Sequence, residues 1–381
     1  MFSDDAHKPY ANKLYVIGWD IGGAHLKAVI LDAEGNFINS IQLICPLWRG
    51  LIYLERAILD ALQAFNIEPS KARHVITMTG ELVDLFESRY DGVCKIALVA
   101  TVIMGEKVWF YAAHEGFVCS QDVHRFASII ASANWHASVS VLALNMQNAL
   151  FVDIGSTTTD IIAIKNGKVI SEGTTDAYRL QADSLVYTGI IRTPVMALAQ
   201  KLLFANNDAM VETNVAAEYF ATMADVYRLT GELTASVDVA ETADGKGKTQ
   251  LESARRLARM IGHDVDTRQN DNNSLEKWVK LAFTCRNLQL QQIKTAMLKQ
   301  LKPQMSIIGA GAGSFLVKSI ATELNYSYSP VSDLIAILHA EQPNLHALDR
   351  INVGFPAYAV AYLARNIEHK LPFSLTRSNN I

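Results

Sequence analysis

Two stretches of this chain share one frame, and that repetition restricts the fold more than any other feature. In the first, the apolar run 14–19 ends in Asp20-Ile21-Gly22-Gly23-Ala24-His25-Leu26-Lys27. Apolar Ala28 to Leu31, a turn at Asp32-Ala33-Glu34-Gly35-Asn36 and a third run, Phe37 to Ile44, follow. In the second, Ala149 to Val152 leads into Asp153-Ile154-Gly155-Ser156-Thr157-Thr158-Thr159-Asp160, then Ile161 to Ile164, Asn166-Gly167 and Val169-Ile170. Asn-Gly is a strong hairpin signal because both residues tolerate positive φ. Aligning Asp20 with Asp153 gives Asp-Ile-Gly-small-small in both copies, each running strand, glycine turn, strand, turn, strand. The pattern predicts an internal duplication.

The residue types in those turns point to phosphate chemistry. A Gly-Ser-Thr-Thr turn offers backbone N–H groups and hydroxyls aimed one way, as a phosphate site requires. Carboxylates beside a phosphate repel it unless a hard cation lies between them. The carboxylates of Asp153 and Asp160 flank the Gly155-Ser156-Thr157-Thr158 turn, so that pair suggests a metal-bridged phosphate. A third cluster, Gly309, Gly311 and Gly313, falls between a strand and a helix, where a nucleotide or phosphate can approach backbone N–H groups. Thr79-Gly80-Glu81 ends another strand in the same way. Arg192 precedes Thr193 and Pro194, which read as the N-cap and first residue of a helix, so Arg192 is either an anion clamp or a solvated arginine. Lys246 and Lys248, in the polar stretch Glu241 to Thr249, either close over a diphosphate or belong to a surface linker.

At 381 residues the chain suits two domains, with half its residues apolar and a net charge of −4. We expect an α/β chain with a first lobe over 1–146 and a second over 147–381, the latter carrying a mainly helical insertion at about 176–300. Nothing in the charge pattern marks a nucleic-acid partner. Cys45, Cys94, Cys119 and Cys285 share no metal spacing and read as reduced thiols. The polar N-terminus does not read as a signal peptide, and Ile96 to Met104 is too short to span a bilayer. The expectation is a soluble, cytoplasmic protein, no membrane partner, and possible homo-oligomers. Apolar spacing predicts helices over Leu51–Phe65, Val83–Tyr90, Asp122–Asn134, Pro194–Phe204, 212–233, Leu251–Ile261, Leu275–Leu301, Phe315–Leu324 and Gly354–Glu368. Strands are expected at His74–Thr79, Val108–Ala112, Met305–Ile308 and Tyr326–Ser329, with a loose tail at 1–12 and a solvated loop at 264–274.

Three glycine loops at strand ends, two with aspartates in a repeated frame, resemble the acetate kinase, sugar kinase, heat-shock and actin superfamily. That resemblance implies two ribonuclease-H-like lobes facing a cleft. Asp-Ile-Gly-Ser-Thr-Thr-Thr-Asp is closest to the hydantoinase A and oxoprolinase branch. Within it, Asp-Ile-Gly-Gly-Ala, Ser-Thr-Thr-Thr-Asp-Ile-Ile, Arg192-Thr193-Pro194, Glu218-Tyr219-Phe220 and Asp244-Gly245-Lys246-Gly247 resemble the archaeal enzymes of methanofuran biosynthesis. The resemblance implies a transferase that condenses a furfuryl diphosphate with the phenol of a γ-glutamyltyramine, releasing diphosphate. It also implies tetrahydromethanopterin-linked one-carbon metabolism in a methylotroph. The resemblance then implies Asp20, Asp153, Asp160, Lys27 and Arg192 as the catalytic group. It implies Mg²⁺ at Asp20 and Asp153, with Gly22, Gly23, Ala24, Gly155, Ser156, Thr157 and Thr158 holding diphosphate oxygens, and Asp160, Glu81 or His25 as acceptor of the phenol proton. Lys27 departs from the branch, where an acid is common, which weighs against hydantoin or oxoproline hydrolysis. Two alternatives stay open: an ATP-dependent kinase or ATPase of the same fold, and a non-catalytic phosphate-binding scaffold.

Overall fold

The computed structural model describes residues 15–105, 107–171, 173–206, 209–265, 273–338 and 345–365. The expected tail at 1–12 and most of the loop at 264–274 lie outside the described residues. Two compact units emerge, one of Met1–Val141 with Ala336–Ile381 and one of Leu142–Ile335.

The first unit runs β1 (Tyr15–Ile21), β2 (His25–Leu31), β3 (Phe37–Ile44), α1 (Leu51–Phe65), β4 (Ala72–Met78), α2 (Arg89–Met104), β5 (Val108–Tyr111), β6 (Phe117–Cys119), α3 (Val123–Ile130) and α4 (Asn134–Ala143). Its sheet has the order β3-β2-β1-β4-β5-β6. β1, β2 and β3 are antiparallel, and β4 and β5 add in parallel. Every residue of β1 and β4 is buried, as central strands covered on both faces require. α1 buries Leu54, Ala57, Ile58, Ala61, Leu62 and Phe65, the expected helical stripe.

The second unit runs β7 (Asn148–Ile154), β8 (Thr159–Lys165), β9 (Lys168–Ile170), α5 (Asp176–Gln181), β10 (Leu185–Val186), β11 (Lys201–Asn206), β12 (Ala209–Asn214), α6 (Met223–Thr230), α7 (Gln250–Arg259), α8 (Asn273–Gln300), β13 (Ser306–Ala310), α9 (Ser314–Glu323), β14 (Tyr328–Pro330) and α10 (Val331–Leu338). The sheet order is β10-β8-β7-β13-β14, with β9 also on β8. β7 and β8 are antiparallel, and β13 pairs in parallel with both β7 and β14. Asn166 and Gly167 turn between β8 and β9 at φ 52° and 67°, as the hairpin signal predicts. Both units thus repeat one ribonuclease-H-like frame, and the fold is the expected duplicated α/β class.

The remaining elements are α11 (Leu345–Val353) and α12 (Phe355–Ala364). α12 corrects the expected boundary, because it belongs with the first unit. Gly18 of β1 makes this possible: a Cβ there would sit 2.0 Å from the Ala357 carbonyl oxygen, so only a glycine admits the helix backbone. Arg73 of β4 also donates to the Ala364 carbonyl at 3.1 Å.

Four helix expectations fail for physical reasons. Val83–Tyr90 is not one helix; α2 starts at Arg89, where the Ser88 hydroxyl caps the Asp91 N–H at 3.1 Å. Asp122–Asn134 breaks into α3 and α4 around Ser132, whose φ is +52°. Pro194–Phe204 gives only a short turn, Val195–Ala197, and then β11. There Leu202 and Phe204 are buried while Lys201 and Leu203 are exposed, a period of two. The stretch 212–233 holds the end of β12 and then α6, whose start is fixed by a capping box between Thr222 and Asp225.

Candidate functional site

In the second unit, β7 and β8 place Asp153 directly opposite Asp160. Opposed residues of an antiparallel pair present side chains to the same face, and like charges there repel. α5 supplies the counter-charge. Its buried Arg179 donates to the partly buried Asp160 carboxylate and to the Ser184 carbonyl at 3.2 Å, and lies 3.8 Å from Asp176. Burial pushes the Asp160 carboxyl above its ordinary range, with Arg179 pulling against that shift.

The loop between these strands has a fixed orientation. The Gly155 N–H donates to the Thr158 carbonyl at 2.9 Å and closes the turn. The Gly155 carbonyl accepts from Ile190 at 3.1 Å, and the Ser156 carbonyl accepts from Ile191 at 3.1 Å and Arg192 at 2.8 Å. In a trans peptide the N–H opposes the C=O. The Ser156 and Thr157 N–H groups therefore point away from the 190–192 segment, as an anion cradle needs. Gly189 lies flat on this loop, since a Cβ there would come within 2.5 Å of the Thr157 nitrogen.

Sequence reasoning missed the residue that holds Gly189 in place. Gln289 of α8 is fully buried, donating to the Thr188 hydroxyl at 2.7 Å and the Gly189 carbonyl at 2.9 Å. Its amide oxygen accepts from the Tyr227 hydroxyl of α6. Nothing in a glutamine-rich helical stretch marks one glutamine as buried, although a buried amide always needs such partners.

The third glycine cluster serves packing around the same loop. Gly311 has φ +78°, and a Cβ there would lie 2.2 Å from Asp153 Oδ1. A Cβ on Gly313 would meet Ile154 at 2.4 Å, and one on Gly309 would meet the Tyr328 ring at 2.7 Å. Gly313 N–H also donates to the Ile154 carbonyl at 2.9 Å.

The first unit repeats the loop with different charges. Gly22 N–H donates to the His25 carbonyl at 2.9 Å, and the Gly23 and Ala24 carbonyls accept from Leu47 at 3.0 Å and Cys45 at 2.9 Å. The Ala24 N–H consequently points away from Leu47. Lys27 stands opposite Asp20, with Nζ 3.6 Å from Oδ2. His25 is buried in β2, and Glu81 is buried where it accepts from the Ser132 hydroxyl at 2.8 Å.

Other expected residues are placed less uniformly. Arg192 is exposed, and Thr193 caps no helix; its hydroxyl accepts from the Gly189 N–H at 2.8 Å. Pro194 bridges to Thr222, and Met223 N–H donates to the Thr193 carbonyl at 2.9 Å. This joins the Arg192-Thr193-Pro194 and Glu218-Tyr219-Phe220 segments. Burial raises the Tyr219 phenol while the Arg192 guanidinium lowers it, which puts the two side chains in one electrostatic neighbourhood. Lys248 is engaged elsewhere, 3.2 Å from the Asp238 carboxylate, and Lys246 is exposed. Their loop is fastened by buried Arg256, which holds Asp244 at 2.9 Å and Asp225 at 2.8 Å. Among the described residues no contact brings either lysine to a glycine loop. Burial lifts the Cys45 and Cys285 thiols to about 12, so both stay protonated.

Among the described residues no three His, Cys, Asp or Glu side chains converge on a metal position. Magnesium does not require this, because it usually takes one or two carboxylates, waters and substrate phosphates. Asp153 and Asp160 beside the Ser156, Thr157 and Thr158 hydroxyls are a hard-oxygen set of that kind. No helix among the described residues is long and apolar enough to cross a membrane.

Comparison with known proteins places these features. Residues 73–336 match the hydantoinase/oxoprolinase family model. The chain is 32% identical over 260 residues to the (4-{4-[2-(gamma-L-glutamylamino)ethyl]phenoxymethyl}furan-2-yl)methanamine synthase of Methanocaldococcus jannaschii, covering 68% of this chain and 75% of that protein. It is 30% identical over 223 residues to the synthase of the same name from Methanococcus vannielii, covering 58% of this chain and 92% of that one. Nucleotide-free acetone carboxylase shares the fold with a TM-score of 0.53 at 11% identity, over 92% of this chain and 70% of that one.

Proposed function

The chain belongs to the hydantoinase/oxoprolinase family, and from that premise we propose that it is an ether-forming transferase of methanofuran-type cofactor biosynthesis. The observation that carries this reading is the likeness to two synthases whose product joins a furan methylene to a tyramine phenol. In the proposed reaction the phenol oxygen attacks the exocyclic methylene of a furfuryl diphosphate. The new C–O bond forms as the methylene–diphosphate bond breaks, and diphosphate leaves with the electron pair.

Each group in the second unit has work in that step. The furfuryl carbon ionises readily, so the main demand is stabilising the departing charge. The Ser156 and Thr157 N–H groups and the Thr158 hydroxyl hold diphosphate oxygens, and Arg192 adds a cation. Asp153 would hold Mg²⁺, which when bound offsets diphosphate charge. Asp160 takes the phenol proton, since burial strengthens its hold on one. In the first unit, Asp20, Lys27 and the Gly22–Ala24 loop are a separate polar site. A cytoplasmic setting and a place in tetrahydromethanopterin-linked one-carbon metabolism belong to the same proposal.

The test is to incubate the pure protein with a furfuryl diphosphate, γ-glutamyltyramine and Mg²⁺. Appearance of the ether mass together with equimolar diphosphate is the expected result. Hydrolysis of ATP without any ether would favour the kinase or ATPase reading instead.

A further inference from the structure

Strands β2, β1 and β4 set Lys27, Asp20 and Thr77 in one register row. Neighbours in register share a sheet face, so an ammonium, a carboxylate and a hydroxyl stand side by side where β1 enters its glycine loop. Thr77 is fully buried, and its hydroxyl has no hydrogen-bond partner among the described residues. An unmet buried hydroxyl is costly, and one beside a glycine loop is where a group from outside can complete it. Asp20 lies one strand away, roughly 4.8 Å along the hydrogen-bonding direction, a gap that one bridging oxygen spans.

The matching row in the second unit is Asp160, Asp153 and Ala310. That row carries two acids and a methyl group, whereas the first carries one acid balanced by one base and a hydroxyl. Arg179 answers Asp160, which leaves the Asp153 charge to repel a phosphate until a metal arrives. The first row does not repel one, because Lys27 sits 3.6 Å from Asp20 and brings the positive charge with the chain itself.

We propose that the first loop is a metal-independent phosphate site, in which the Lys27 ammonium stands in for a divalent cation. The Ala24 N–H donates to a phosphate oxygen, and the Thr77 hydroxyl orders the water between that oxygen and Asp20. The ligand class is a mono- or diphosphate ester, or inorganic diphosphate. This rests on reading the protein as a diphosphate-releasing enzyme, and it confines the metal requirement to the loop of the second unit.

The experiment is calorimetric titration of the full chain with inorganic diphosphate, in EDTA and then in excess Mg²⁺. Wild type binds in EDTA. Lys27→Met loses ~10-fold or more of that metal-free affinity, the size of one charge-assisted contact, and Lys27→Arg retains it. Thr77→Val raises the melting temperature, because the orphan hydroxyl is gone, yet weakens metal-free binding; Thr77→Ser does neither. A merely structural threonine would give the stability gain with unchanged binding, and that result overturns its part. Wild type that binds diphosphate only with Mg²⁺, or Lys27→Met within twofold of wild type in EDTA, overturns the proposal. Metal-free binding that persists in a protein making no ether would sink the transferase reading and leave this site standing.

Discussion

The two glycine loops share one frame, and they part most sharply at the register position that faces the aspartate. Lys27 faces Asp20 in the first, and Asp160 faces Asp153 in the second. The consequences spread into the sheet edge. In the first unit β3 runs unbroken beside β2, from His25↔Ile44 to Leu31↔Phe37. In the second, the same edge is shared by β9 at one end and β10 at the other. Between them the chain leaves the sheet, forms α5 and delivers Arg179 to Asp160. A partly buried second carboxylate needs a partner, and splitting the strand is how this fold provides one. The comparison teaches that the edge is broken in the unit whose ladder carries a second acid, and that the break is where its counter-charge enters.

Asp153→Asn gives the largest expected asymmetry. It keeps the size and a hydrogen-bonding oxygen but removes charge from the all-acid pair, so turnover should fall on the order of 10³-fold, with the melting temperature little changed. Asp20→Asn should cost far less, because Lys27 remains. Rates and melting curves at varied Mg²⁺ decide this, and equal losses at the two sites would erase the distinction.

Glycine substitutions should separate the loops next. Gly311→Ala meets Asp153 and the Ile154 carbonyl oxygen at a φ of +78°, so about 2–3 kcal/mol of stability should go. Gly22→Ala meets the His25 carbonyl oxygen at 3.0 Å, a contact that small shifts relieve. Chemical denaturation of both variants gives the ratio.

Acid should strain the two units in opposite senses. Burial lowers His74 of β4 from 6.5 to about 4, so the unfolded chain takes up its proton first. Stability is then lost as pH falls from 6.5 towards 4, by up to ~3 kcal/mol. Asp160 is raised instead, so its contribution is present at low pH and is lost as pH rises through its folded value. Denaturation midpoints of wild type and His74→Gln across this range should diverge below 6.5; parallel curves would remove His74 from the account.

Arg192→Lys should matter least, since charge survives and only the planar, two-pronged geometry is lost. A decrease within ~10-fold in turnover is expected from steady-state rates. A loss matching that of Asp153→Asn would instead make Arg192 a principal diphosphate clamp.

The repeated frame was legible in the chain because it is local. Alternation, Asp-Ile-Gly and Asn166-Gly167 are set by neighbours in sequence, and each turn's hydrogen bond joins residues three apart, such as Gly22 to His25 and Gly155 to Thr158. The opposition of Asp153 and Asp160 also follows from a short hairpin, since loop length fixes register. Tertiary structure alone decided the partners. Arg179, Gln289, Thr77 and α12 reach their places over separations that no periodicity encodes, and Lys248 is drawn to Asp238 rather than to a loop. Leu202 and Phe204 became strand residues because the surrounding core accepts alternate side chains. Local propensity names the turns of this protein, whereas burial chooses which polar side chains must meet, because an unpartnered polar group in the interior costs more than any local preference returns.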